Sequence, residues 1–233
     1  MQLRDIAKFG SNDDLRQSLQ TLATRLESVA ASIYQRKDPN AASRVFPRIA
    51  RSTAEQLLLL ARFISEPIEI TASVCRTVFE INVTFRYCLL TQENLEDFAT
   101  QRGTDEISIY KAIKRLHTEG DHTEQHAILY KHIEHLRILD KHIEHLRGIL
   151  RRHNRPMKPV RPSLREMAKA VGAESDYDCL YGLYSKYVHA SAWFVLAERD
   201  HFDLPVFRQV MQLDTQLYAG DTLGRLEELA PKA

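Results

Sequence analysis

From Leu15 onward, apolar residues return every three or four positions: Leu15, Leu19, Leu22, Leu26, Val29 and Ile33 share one helical face. The polar cluster Ser11 to Asp14 supplies a start for this helix, and Asp38-Pro39-Asn40 ends it beyond Gln35. A second helix is expected from Ala41 to Ser65, with Pro47 as a break or a start and a strongly apolar half from Gln56 to Phe63. Ser65-Glu66-Pro67 restarts the chain with proline in a first helical turn. The stretch from Pro67 to Leu90 is apolar around most of its circumference and has no internal glycine or proline, which predicts a helix in the middle of a bundle. One line down it is polar. Glu69, Ser73, Arg76, Glu80, Thr84 and Tyr87 recur at steps of three and four and fall on one face.

The pattern continues. Thr91 to Asn94 reads as a cap, and a helix follows from Glu93 to about His117 with a bend expected at Gly103. After a turn at Gly120-Asp121, residues 122–153 form the longest regular stretch. There Leu129, Leu136, Ile143 and Leu150 are spaced by sevens, with Ile133, Leu139 and Leu146 between them. This is a coiled-coil-like seam for a partner helix of the bundle or of a second subunit. KHIEHLR occurs at 131–137 and again at 141–147. Ten residues turn a helix by about 1000°, so the copies face different ways and mark a local duplication, not a solenoid.

Arg155 to Pro162, with three prolines, reads as a loop, and Ser163 with Glu166 as a capping box opening a short helix that stops at Gly172. Ser175 or Asp176 is expected to cap one helix carrying YDCLYGLYSKYVHASAWF; Asp203-Leu204-Pro205 interrupts, and a last helix runs from Val206 to Tyr218. No run alternates as a strand does. The expected class is all-α, a single bundle of long helices over residues 11–218, with a lead-in at 1–10 and a tail at 219–233.

Composition narrows this. Of 233 residues, 44% are hydrophobic, which supports a packed core, and the formal charge of +1 restricts any nucleic-acid surface to a local patch. The cysteines, Cys75, Cys88 and Cys179, are odd in number and lack metal-ligand spacing, as expected of reduced thiols in the cytoplasm. Arg4, Asp5 and Lys8 are not followed by the apolar run of a signal peptide, and no uncharged run reaches a bilayer span, so no membrane association is expected.

Chemistry can sit where the polar stripe meets the Tyr-rich segment. On a regular helix, Ser185, Gly182 and Asp178 share the face of His189, while Leu180, Leu183, Tyr184 and Tyr187 lie opposite. Small residues beside a histidine permit close approach by a second helix. Arg76, Glu80, Ser185 and His189 are therefore expected to meet in one polar cluster, Glu80 pairing with Arg76 and orienting His189. Such a cluster can be catalytic, or it can be a buried network that sets helix register.

Arg76-x3-Glu80 in an apolar helix, followed by Tyr184-Ser185-x3-His189 after a short helix, resembles a family of bacterial helical proteins known as a domain of unknown function. The resemblance spans Ala54 to Phe194. That family in turn resembles the HEPN proteins, helical bundles of toxin–antitoxin and antiviral systems, many of them dimeric, metal-independent ribonucleases. The resemblance implies an HEPN-like fold, no cofactor, and RNA or a cognate protein as partner. It also implies His189 as general acid/base for attack by a ribose 2′-OH and Arg76 as stabiliser of charge on phosphorus. The chain departs from the HEPN pattern, which places an arginine where Gly182, Leu183 or Tyr184 stands here.

Arg147, Arg151, Arg152, Arg155, Lys158, Arg161 and Arg165 follow one another with no acidic residue between them, a candidate grip on RNA phosphates. His122, His126, His132, His135, His142 and His145 carry no His-Glu-x-x-His pattern and read as an exposed polar face rather than a metal site. Tyr177, Tyr181, Tyr184, Tyr187, Trp193 and Phe194 read as core. No phosphate-binding glycine loop, nucleophile elbow or paired Cys-x-x-Cys is present. The leading expectation is a defence- or toxin-associated module that binds or cleaves RNA as a homodimer. The rivals are a non-enzymatic interaction or scaffold subunit and a binder of a nucleotide-like small molecule at Arg76 and His189.

Overall fold

The computed structural model describes residues 10–35, 40–118, 133–152, 162–189, 191–196 and 198–230. Among these, all regular structure is helical. The chain divides into two compact units, Met1–Leu95 with Pro162–Ala233, and Glu96–Arg161.

In the first unit, α1 (Asn12–Tyr34) opens on a capping box between Ser11 and Asp14 and buries Leu15, Leu19, Leu22, Leu26, Val29 and Ile33. Helix α2 (Ala41–Arg62), capped by Asn40, runs through the buried Pro47 and packs along α1. Helix α3 (Ile68–Leu90) starts after Pro67 and contacts α2 as well as later helices, so it is the centre of this unit. Its apolar residues serve two clusters: Ile68, Ala72 and Cys75 pack with Tyr184, Tyr187 and Met211, while Phe79 and Val83 pack with Met167, Ala168 and Ala173. The polar stripe is the face left over.

Helix α4 (Gln92–Thr118), with Asn94 N–H bonded to Thr91 Oγ1, runs through Gly103 unbroken. In the second unit, α5 (Ile133–Arg152) presents Ile143, Leu146 and Leu150 to Ile107 and Tyr110 of α4. These positions of the seven-residue seam are thus used within the chain; Leu129 lies outside the described residues.

Back in the first unit, α6 (Leu164–Ala170) has the expected capping box, and Gly172 takes φ +72°, where a side chain would be strained. The next segment departs from expectation. Helix α7 (Glu174–Asp176) begins at Ala173 with no side-chain cap, so neither Ser175 nor Asp176 plays that part. A π-helical stretch, Tyr177–Tyr181, follows, then α8 (Gly182–Val188). The expected single helix ends there, because His189 is extended at φ −103°, ψ 152°. Helices α9 (Ala192–Leu196) and α10 (Arg199–Phe202) are short. The last helix, α11 (Pro205–Leu229), passes Tyr218 and absorbs most of the expected tail. Ala219, Leu223 and Leu226 are buried, and Asn82 of α3 donates to Tyr218 O, Asp221 Oδ2 and Thr222 Oγ1 at 3.1, 2.8 and 3.1 Å. Tertiary packing overrides the low helix propensity of Gly220 and Gly224.

Candidate functional site

Arg76 projects from the half-exposed stripe of α3, and each of its three guanidinium nitrogens has its own partner. Nε donates to Glu80 Oε1 at 3.0 Å, one turn along the helix. Nη2 donates to the Tyr181 hydroxyl at 2.6 Å, and that hydroxyl donates to the same Glu80 oxygen at 3.0 Å, closing a triangle. Nη1 lies 2.8 Å from Nε2 of His189, 113 residues away in sequence. A guanidinium has donors only, so Nε2 must accept. The ring proton is thereby assigned to Nδ1. The cluster reaches solvent: the Arg76 side chain is 21% exposed, that of Glu80 40%, and His189 is exposed.

Partial burial works against the charge on Arg76, but Glu80 and Tyr181 outweigh it and hold the guanidinium above its ordinary value. Tyr181 is pushed up by burial and then by the Glu80 carboxylate, which keeps it a hydroxyl donor. Its ring is fixed too, stacked on Tyr177 with centroids 4.8 Å apart and carrying the Arg76 guanidinium carbon 4.8 Å from its centre. Such contacts restrict the arginine to one geometry.

Arg76, Glu80 and His189 therefore stand together. Glu80 reaches His189 only through Arg76, not directly. Ser185 enters through its backbone carbonyl, which accepts the His189 N–H at 3.0 Å. Among the described residues its hydroxyl bonds none of the other three.

Sequence reasoning missed Tyr181 by assigning it to the core with its neighbours. It lies two four-residue steps before His189, and that spacing was the available signal. The π stretch changes the helical phase, so faces drawn for a regular helix fail across it. Asp178, expected on the face of His189, instead pairs with Arg165 of α6 at 3.3 Å. Gly182 permits no close approach, since a Cβ there would meet nothing within 4 Å.

The basic stretch divides. Arg147 pairs with Glu144 on α5, Arg165 with Asp178, and Arg151 and Arg152 are exposed in the last turn of α5. Arg155, Lys158 and Arg161 lie outside the described residues, as do His122, His126 and His132, while His145 is exposed. Acidic residues just outside the run thus neutralise two of its members. Among the described residues no cluster of three or more His, Cys, Asp and Glu is placed to hold a metal ion. No described helix is long and apolar enough to cross a membrane.

No curated protein and no solved structure matches the chain. The profile of a family of unknown function, DUF5677, matches residues 40–203, from the cap of α2 past His189. Arg76, Glu80, Tyr181 and His189 all fall inside that span, and over it the protein belongs to the DUF5677 family.

Proposed function

We propose that this protein is an RNA-acting module of HEPN-like type, with Arg76 and His189 as the working pair of a metal-independent endoribonuclease. The observation that supports it is the Nη1 to Nε2 contact at a solvent-accessible surface, with the other two guanidinium nitrogens tied down by Glu80 and Tyr181. The arginine that HEPN nucleases carry just before the histidine is supplied in this reading by α3.

A bound phosphodiester would accept from Arg76 Nη1 and release Nε2 of His189. Nε2 then takes the proton of the ribose 2′-OH as its oxygen bonds to phosphorus. Arg76 stabilises the charge that builds on the phosphoryl oxygens. The bond from phosphorus to the 5′ oxygen breaks, the imidazolium returns a proton to that leaving oxygen, and a 2′,3′-cyclic phosphate remains. Ser185 and Glu80 are positioning residues, the first for the His189 backbone and the second for the guanidinium. The HEPN resemblance favours a toxin- or defence-associated setting.

His189→Ala tests this. The expected result is loss of RNA cleavage with a stability change below about 0.5 kcal/mol, as for an exposed residue. The rival, a scaffold whose cluster only ties α3 to the π stretch, is favoured by the Tyr177–Tyr181–Arg76 stack. It predicts no cleavage by the wild type and a lowered melting temperature in the variant.

A further inference from the structure

The exposed side of α2 carries a row of arginines that are spread along the chain but aligned on the helix. Arg44, Arg48, Arg51 and Arg62 are all exposed. At about 100° per residue they fall, with Glu55, in one sector about 60° wide. Arg44 to Arg51 spans about 10 Å of helix axis at about 1.5 Å per residue. Among the described residues, Arg44, Arg48 and Arg51 have no hydrogen bond or ion pair. The contrast with α1 beside it is sharp, since Arg16 pairs with Asp13 and Arg25 with Glu227 at 2.6 Å each. Arg51 instead stands 5.9 Å over the ring of Tyr34, which is 70% exposed.

We propose that this row is a binding track for a single strand of RNA, with Arg44, Arg48 and Arg51 on successive phosphates and a base stacked on Tyr34. Three unpaired guanidiniums on one face repel each other until a polyanion neutralises them, and releasing the strand's counterions drives the association. An exposed aromatic ring beside the row is the platform that sequence-tolerant single-strand binding uses. An anionic membrane fits less well. A helix lying in a bilayer surface inserts an apolar face, and α2 spends most of its own, Val45, Phe46, Ile49, Leu57 and Leu60, on the core, leaving only Leu58 and Leu59 exposed near its C-terminal end. The track rests on charge and stacking alone and does not require that the Arg76–His189 pair be a nuclease.

The test is fluorescence anisotropy with a labelled single-stranded RNA over a salt series, using wild type, R44Q/R48Q/R51Q and Tyr34→Ala. The triple variant should bind at least about tenfold more weakly. Its slope of log affinity against log salt should be shallower by about 2, from three lost contacts at about 0.7 each. Tyr34→Ala should weaken RNA binding by about tenfold but leave inorganic polyphosphate binding unchanged. All four altered side chains are exposed, and thermal melting checks that the variants fold. RNA binding without cleavage supports the track and sinks the nuclease. Equal affinity and slope in wild type and triple variant, no RNA binding by the wild type, or binding only to phosphatidylserine-containing vesicles overturns the track.

Discussion

Cys75 and Arg76 are neighbours on α3, and each belongs to a polar network of its own. Arg76 reaches outward to Glu80, Tyr181 and His189. Cys75 faces inward, its Sγ 3.2 Å from Met211 O, beside Tyr184, whose hydroxyl donates to Asp214 Oδ2 at 2.7 Å. Tyr184 and Cys75 are 0% exposed and Asp214 9%. Both networks combine a tyrosine and a carboxylate. The sealed one cannot meet a ligand, so its polar groups serve only to join α3, α8 and α11. The open one has a donor-only guanidinium facing an imidazole nitrogen at the solvent-accessible surface. Access to solvent, more than residue type, separates a structural polar set from a candidate chemical one.

Substitutions should separate the two. The largest effect is expected from Tyr184→Ala, which empties a fully buried aromatic site and should cost about 3–5 kcal/mol in urea unfolding. A loss of under 1 kcal/mol would mean that the inner network does not hold the helices. Asn82→Ala removes three hydrogen bonds to α11 and should cost about 1–3 kcal/mol. Tyr181→Phe keeps the ring and deletes the hydroxyl that braces Arg76. It should cost stability at most about 1 kcal/mol; in the proposed nuclease reading it also lowers kcat, with KM nearly unchanged. A melting-temperature drop as large as that of Asn82→Ala would assign the outer set to structure instead.

Asp214→Asn should act with the opposite sign. Burial raises the Asp214 carboxyl above its ordinary 3.8, against the Tyr184 hydrogen bond, which lowers it. The folded state thus favours the protonated acid. That contribution is fully present below the unfolded value and is lost as pH rises through the folded one. Asparagine can accept the same hydrogen bond without a charge. The variant should be slightly more stable than wild type at neutral pH, with the difference vanishing in acid; a variant less stable at every pH would contradict this. Smallest of all is the energetic effect of a thiol reagent. Burial pushes Cys75 and Cys88 up to about 12, whereas Cys179 is exposed. The native protein should react at Cys179 alone, the other two only after unfolding.

Local rules carried far along the chain. The spacing of Leu15 to Ile33, the capping cluster from Ser11 to Asp14, the capping box at Ser163, and proline at the head of α3 are each decided by residues within a turn or two, and each is read correctly from the sequence. Long-range causes were not legible. The end of α8 at His189, the π stretch before it and the extension of α11 past Tyr218 depend on what packs against those segments. Tyr181 was hidden because a tyrosine among other aromatics reads as core, although its spacing from His189 is that of a regular helix. The arginine row on α2 was hidden because its meaning lies in missing partners, and partners are a property of space.

The amino-acid sequence by itself determined a helical protein with an apolar central segment and a polar line along it, since helical periodicity and caps are short-range physics. Which polar groups are sealed and which are open was decided by tertiary structure. That choice set Arg76 against His189 across 113 residues and left three arginines of α2 unpaired, because burial and pairing arise only when distant segments meet.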